Sequence, residues 1–384
     1  MSMYFIQTPA TLYNTYINRL NNLVIGTDHR VVVELQGGSQ DPFDETVLFN
    51  GVYTPWDGKV EVDLKDIIAG CFDIALPYNP FPNPQEGWYS EFKVLVSDAD
   101  GEDSDISDVF SVCAKESLSV SADPLNYEIV EKCLPQTKQP ALKHTTAEGV
   151  ELLTMMCLDD KNGDIAISSI NNKPCYYSLL KSALRPEPST YSKALIADVS
   201  PRFINFLAQI NPNILDYQFP IEADDPILSY EISLCSYDTV IKRSYIIDRS
   251  TGREKYFAFV NSYGGIDTLI MRGDNVLEPE TEYPVADFGG KLVQRNDDDT
   301  DRRIWHQYSG RFDRAWKEVL NDFAETRQKY WKIENYSFIP IVVTECSRSF
   351  ADRDNLVSFD FRYKRTGGYS YEWRMPVYEN TKKN

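Results

Sequence analysis

The sequence predicts a mainly β protein: an N-terminal sandwich of short strands, followed by a larger β-rich region that carries one amphipathic helix. Three observations lead there. Tyrosine and phenylalanine are in excess, 24 and 19 of 384 residues, and both favour the pleated, half-buried surface of a strand. Short apolar or alternating runs recur between clusters of Gly, Pro, Asn and Asp, the punctuation of strands and turns. A single segment, RFDRAWKEVLNDFAETRQKYW, changes to clear helical spacing.

From the N-terminus, HRVVVELQGG is apolar and β-branched, and ETVLFNGVYTPWDGKVEVDL alternates on either side of the turn Trp56-Asp57-Gly58. EFKVLVSDADGEDSDISDVFSVCA places two alternating strands around an acidic loop that contains Gly101. Strand, acidic turn, serine and strand in this order resemble the closing hairpin of immunoglobulin-like sandwiches. The resemblance implies such a β-sandwich over residues 1–115, although the cysteine and tryptophan spacing of antibody domains is absent. Residues 116–149 lose periodicity and gather Pro, Lys and Ser, so they read as a linker with an embedded strand or two.

Residues 150–384 form the β-rich C-terminal region. In ELLTMMCLDDKNGDIAISSI, Asn162-Gly163 lies between two apolar runs and predicts a hairpin, since a tight primed turn needs positive φ at both positions. Thr251-Gly252, within TVIKRSYIIDRSTGREKYFAFVNSYGG, predicts a second one. SPRFINFLAQI fits a short helix or a buried strand. Phe312, Trp316, Leu320 and Phe323 define one helical face. The strands FIPIVVTECS, NLVSFDFRYKR and YSYEWRMPVY follow, so that helix is expected to dock on a sheet. The acidic tract NDDDTD marks a candidate division near residue 295.

Charge and motifs narrow the function. A net charge of −19 repels phosphate backbones and anionic lipid, which argues against nucleic acid. No apolar run reaches the roughly 20 residues of a membrane span, and MSMYFIQTPATLYN lacks the features of a secretory signal, so synthesis in a bacterial cytoplasm without membrane insertion is expected. Seven scattered cysteines without a CxxC pair suggest reduced, buried thiols. Asp98, Asp100, Glu102, Asp103, Asp105 and Asp108 invite a calcium reading, but counting from Asp98 puts Asp103 where an EF-hand needs Gly and Val109 where it needs Glu. A solvated hairpin tip is the simpler account. DDKNGD fails the same test. His29, His144 and His306 form no zinc motif, and neither a GxSxG elbow nor a phosphate-binding glycine loop occurs. Paired carboxylates could serve glycoside hydrolysis, but 58 acidic residues make any pair uninformative. No metal or cofactor is expected.

Arg272-Gly273-Asp274 follows the apolar run Thr268–Met271 and reads as a turn, with Gly273 supplying positive φ, and not as an adhesive loop. Around it, Phe257, Phe259, Asn261, Tyr263, Gly264, Gly265, Asp267, Thr268 and Gly273 form a pattern that resembles uncharacterised structural proteins of virions and tails in Bacteroidetes phages and prophages. Ser309-Gly310 before the helix, Pro340-Ile341, Asp354-Asn355-Leu356 and the N-terminal Tyr53-Thr54-Pro55 extend it over most of the chain; Asp267 stands where glutamate is expected. The resemblance implies a non-enzymatic virion component, tail-associated, that assembles with other virion proteins and as a homo-oligomer. Gly264 and Gly265 are expected to shape a strand kink, Asn261 is expected to act beside them as a structural residue, and Phe312, Trp316, Leu320 and Phe323 are expected to dock the helix. The alternatives are a module that binds a bacterial surface glycan through exposed aromatics and, as an enzyme, a polysaccharide depolymerase.

Overall fold

The computed structural model describes residues 3–9, 22–38, 46–71, 89–101, 103–113, 137–157, 164–179, 193–210, 226–236, 239–262, 265–279, 285–288, 291–294, 303–326, 328–332, 337–349, 355–365 and 371–372. The chain is mainly β, as the composition predicts. Its N-terminal part is an immunoglobulin-like sandwich built from β1 (Tyr4–Gln7), β2 (Leu23–Gly26), β3 (Val31–Gly38), β4 (Thr46–Tyr53), β5 (Lys59–Val62), the helix α1 (Leu64–Cys71), β6 (Tyr89–Asp98), β7 (Ser104–Ile106) and β8 (Phe110–Cys113). One sheet has the order β1-β2-β5 and the other β4-β3-β6-β7, with β8 also on β6. Strict alternation puts Val31, Val33 and Leu35 of β3 and Phe92, Val94 and Val96 of β6 between the sheets. Each such side chain contributes about 1.5–3 kcal/mol on burial.

The predicted turn at Asp57-Gly58 is present, with φ of 53° and 73°. It joins strands of different sheets, because β4 pairs with β3 while β5 pairs with β2. The turn is therefore a corner of the sandwich.

The middle of the chain holds β9 (Leu142–Thr146), β10 (Leu152–Cys157), β11 (Asp164–Ile170), β12 (Lys173–Ser178), β13 (Lys193–Asp198), α2 (Pro201–Ile210), β14 (Ser229–Ser236) and β15 (Thr239–Asp248). Five strands run β12-β11-β14-β15-β9, and β10 pairs with β13 apart from them. SPRFINFLAQI resolves as helix: Phe203, Ile204 and Leu207 recur at helical spacing and are buried with Ile165, Ile167 and Ile232 of the sheet. Pro201 at its first position suits a helix start, where no backbone donor is missed. Residues 142–146, inside the stretch read as a linker, form an edge strand parallel to β15, so this part of the stretch belongs to the folded body.

The predicted hairpin at Asn162-Gly163 is not formed. The turn lies outside the described residues, but β10 pairs with β13 whereas β11 pairs with β12 and β14. The real hairpin is the next one, at Asn171-Asn172, with φ of 49° and 60°.

The C-terminal part comprises β16 (Lys255–Val260), β17 (Ile266–Met271), β18 (Asn275–Pro279), β19 (Val285–Phe288), β20 (Lys291–Gln294), β21 (Arg303–Tyr308), β22 (Phe312–Asp313), a 3₁₀ turn (Arg314–Trp316), α3 (Lys317–Glu325), β23 (Lys329–Lys332), β24 (Ser337–Ser349), β25 (Leu356–Arg365) and β26 (Tyr371–Glu372). A nine-stranded sheet runs β17-β16-β23-β24-β25-β21-β18, with β22 on β25 and β26 on β24; β19 and β20 pair separately. Strands from both sides of residue 295 share that sheet, so no division of it falls there. The predicted hairpin at Thr251-Gly252 is likewise a crossing between sheets: Gly252 has φ of 75°, yet β15 and β16 belong to different sheets.

Candidate functional site

The helix face and the NSYGG loop meet at one place. Trp316, Leu320 and Phe323 are buried against the nine-stranded sheet, Phe323 with its ring 5.4 Å from Phe259 and 5.1 Å from Phe361. Phe312 does not extend the helix. It sits in β22 opposite Val357, partly buried, with its ring 5.5 Å from that of Trp316. Asn261 and Gly265 close a hairpin loop between β16 and β17 in place of the expected strand kink: Asn261 N donates to Gly265 O at 2.8 Å, and Gly265 N donates to Asn261 Oδ1 at 3.0 Å. Gly264 lies outside the described residues. Ser262 ties this loop to the helix, its Oγ and N donating to Asp322 Oδ2 at 2.7 and 3.2 Å, while Lys138 Nζ reaches Asp322 Oδ1 at 3.1 Å.

Beside it runs a buried ionic joint that motif reasoning did not find. Lys143 of β9 contacts Glu151 Oε2 at 2.5 Å, Thr268 O at 2.7 Å, Thr268 Oγ1 at 2.9 Å and Gln139 Oε1 at 2.9 Å. Thr268 lies on β17, so these bonds fasten the five-stranded sheet to the nine-stranded one. Arg243 of β15 donates to Gln139 O at 2.9 Å. Asp267 is buried next to Thr268, and desolvation pushes its carboxyl up to about 6, opposed by Thr137, Asn261 and Lys143. Asp198 is raised to about 6 for the same reason, despite Ser200 Oγ donating to it at 2.5 Å. Apolar residues seal the joint: Val150, Leu152 and Ile196 pack on Ala258, Ile266 and Tyr330. The sequence held no signal for this, since Lys143 and Thr268 are 125 residues apart and nothing in LKHTT marks its lysine as buried.

The remaining motifs resolve as structure. Gly273 is not among the glycines with positive φ; it is needed because a Cβ there would lie 2.5 Å from Tyr308 O and 2.8 Å from Gly310 N. The left-handed residue nearby is Gly310, at 77°. Arg272 pairs with Asp248 at 2.6 Å, and backbone bonds Arg272 N to Ser309 O and Tyr308 N to Asp274 O hold both flanks of the tripeptide against the sheet. The acidic loop turns through Gly101 between β6 and β7, and Asp103 accepts from Met3 N at 3.1 Å. Among the described residues no group of three or more His, Cys, Asp or Glu is arranged to hold a metal. Cys175, Cys235 and Cys346 are free thiols, and burial pushes Cys175 up to about 11.

Two surfaces remain exposed and distinctive. On the outer side of the nine-stranded sheet, a cleft of about 240 Å³ is lined by His306, Glu345, Ser347, Asp360 and Arg362 among others. His306 Nε2 faces Asp360 at 2.8 Å, and Arg362 pairs with Glu278 and Glu345 at 3.1 and 2.8 Å. The exposed Tyr308 ring rests 4.3 Å from that of His306. The second surface is β4, where Val47, Leu48 and Val52 are exposed; beyond it Trp56, at the corner turn, is 85% exposed.

No family model matches the chain, and no curated protein matches it. Among solved structures it is similar to the surface layer protein SbsC, domains 1-6, at 11% identity and a TM-score of 0.18, over 92% of this chain and 40% of that one. It is also similar to the Bacteroides ovatus mixed-linkage glucan utilization locus protein SGBP-B in complex with a mixed-linkage heptasaccharide, at 8% identity and a TM-score of 0.15, over 92% of this chain and 74% of that one. The chain thus spans about two fifths of the surface-layer structure. Neither likeness is close enough to bear on function.

Proposed function

We propose that the chain is a non-enzymatic structural component of a phage particle, tail-associated, that works through protein-protein assembly and resides in the virion after synthesis in the host cytoplasm. The observation that carries the assembly reading is the exposed apolar edge β4, followed at its corner by the exposed Trp56. A large apolar ring held on a tight turn of fixed geometry is an anchor of the kind interfaces use, because little side-chain entropy is lost on docking. The tail assignment draws its support from the sequence resemblance. Mass spectrometry of density-banded particles from the encoding phage or prophage tests it. The chain should appear at a fixed ratio to the other tail proteins; its absence from particles, with free protein in the lysate, would overturn the assignment.

A second reading, recognition of a bacterial surface glycan, is favoured by the outer cleft. Tyr308 offers an aromatic face beside the hydrogen-bonding groups of Asp360, Arg362 and Glu345, a combination suited to a sugar ring. A glycan array tests it: binding that Tyr308→Ala abolishes supports this reading, and an empty array removes it.

A further inference from the structure

Among the described residues β4 is the last strand of its sheet. Its eight residues, TVLFNGVY, contain no charge and no proline. Most edges elsewhere are guarded. Lys59 and Glu61 lie in β5, Asp105 in β7, Lys143 in β9, Lys173 and Pro174 in β12, Asp267 in β17, and Glu278 and Pro279 in β18; β1, β8 and β10 are also bare, but with four, four and six residues each is shorter than the eight-residue β4. Charge and proline on an edge prevent another strand from adding to it, and β4 has neither. A register shift opposite Leu35 and Gln36 sets Leu48 apart as a bulge. Beyond it Phe49–Tyr53 pairs regularly with β3, which leaves a straight five-residue stretch facing outward.

We propose that this stretch pairs antiparallel with the same stretch of a second copy, about a two-fold axis through Gly51, so that the two N-terminal sheets become one. The inference rests on the assembly reading and names its partner. Self-pairing across a two-fold axis sets a strand against itself, so any charge close to the axis would be brought near its like in the other copy. A chain of net charge −19 repels its copies over most of its surface, and an uncharged strand is where they can meet. The axis at Gly51 places Asn50 opposite Val52, and Phe49 opposite Tyr53, of the other copy. Gly51 itself is covered by its neighbours, since a Cβ there would meet the Phe49 and Tyr53 rings at 2.8 and 2.9 Å. The small residue at the axis thus lets four aromatic rings pack around it on the core side.

Light scattering over a series of concentrations tests this on the wild-type chain, Val52→Lys, and Val240→Lys as a control at an equally exposed site on β15; unchanged circular dichroism establishes that each variant folds. The wild type and Val240→Lys should reach twice the mass of one chain, and Val52→Lys should dissociate, its affinity weakened roughly tenfold or more by the charge placed on the pairing edge. A dimer that survives Val52→Lys, or that Val240→Lys disrupts equally, overturns β4 as the interface while leaving the assembly reading intact. A wild type that stays monomeric throughout overturns self-pairing; the particle measurement above then decides the assembly reading separately.

Discussion

Asp267 and Asp198 show what burial does to single residues. Both carboxyls are raised from the ordinary 3.8 to about 6, so between these values the folded chain keeps protons that the unfolded chain has released. Stability therefore falls as pH rises through that window, by about 3 kcal/mol for each group, and is greatest on its acid side. Glu254 works in the opposite sense. Burial raises its carboxyl, but hydrogen bonds from Thr251 N, Ser250 Oγ and Thr251 Oγ1 overcome this and hold it down to about 2, so its stabilisation is present above the ordinary value and is lost on further acidification. Thermal melts should show a maximum near the ordinary carboxylate range, and Asp267→Asn should flatten the decline towards neutral pH; an unaltered decline would show that Asp267 is not its source. Lys143→Met leaves Glu151 buried without its ion pair and should cost about 3–5 kcal/mol in denaturant melts. None of this was legible in the sequence. Burial of a charge is decided by which distant strand lies opposite it, and the residues around Lys143 and Asp267 look like those of any half-exposed strand.

Among elements, the helical stripe was the most legible, because its period is local and its apolar face has one way to be buried. Trp316→Ala should cost about 3–5 kcal/mol, read as a shift of the denaturation midpoint; a change within error would place that ring outside the core, contrary to its contact with Phe312. The turn at Gly273 is a stricter case. Gly273→Ala sets a methyl against the backbone of Tyr308 and Gly310, which has no flexible end to yield, and should cost about 1–3 kcal/mol by the same measurement. Turn chemistry itself was readable at Asp57-Gly58 and Thr251-Gly252, where positive φ is found. What those turns connect was not. A tight turn looks the same whether its strands pair or part to two sheets, and here each parts. The one hairpin built on Asn171-Asn172 carries no glycine, so its left-handed pair relied on asparagine alone.

The whole molecule joins a small N-terminal sandwich to a larger body in which two sheets are fixed by charge and apolar packing. The end of β16 and the loop that follows it are central to this, since Val260 packs with the sandwich core while Ser262 binds Asp322 of the helix. The mainly β class and the docked helix follow from composition and period, and the immunoglobulin-like N-terminus from a resemblance in the order of its strands and acidic turn. The partition of strands among sheets needed the three-dimensional arrangement, because it depends on contacts between segments far apart in the chain. In the assembly role proposed above, β4 and Trp56 are the surfaces that such a body would present to a partner. The measurement that tests this most directly is cross-linking of intact particles followed by mass spectrometry, with Lys59, beside Trp56 on the corner turn, as the reporter. The account predicts cross-links from Lys59 to a second copy or to another particle protein. Particles in which Lys59 links only within its own chain, while lysines elsewhere on the surface link between chains, would contradict it.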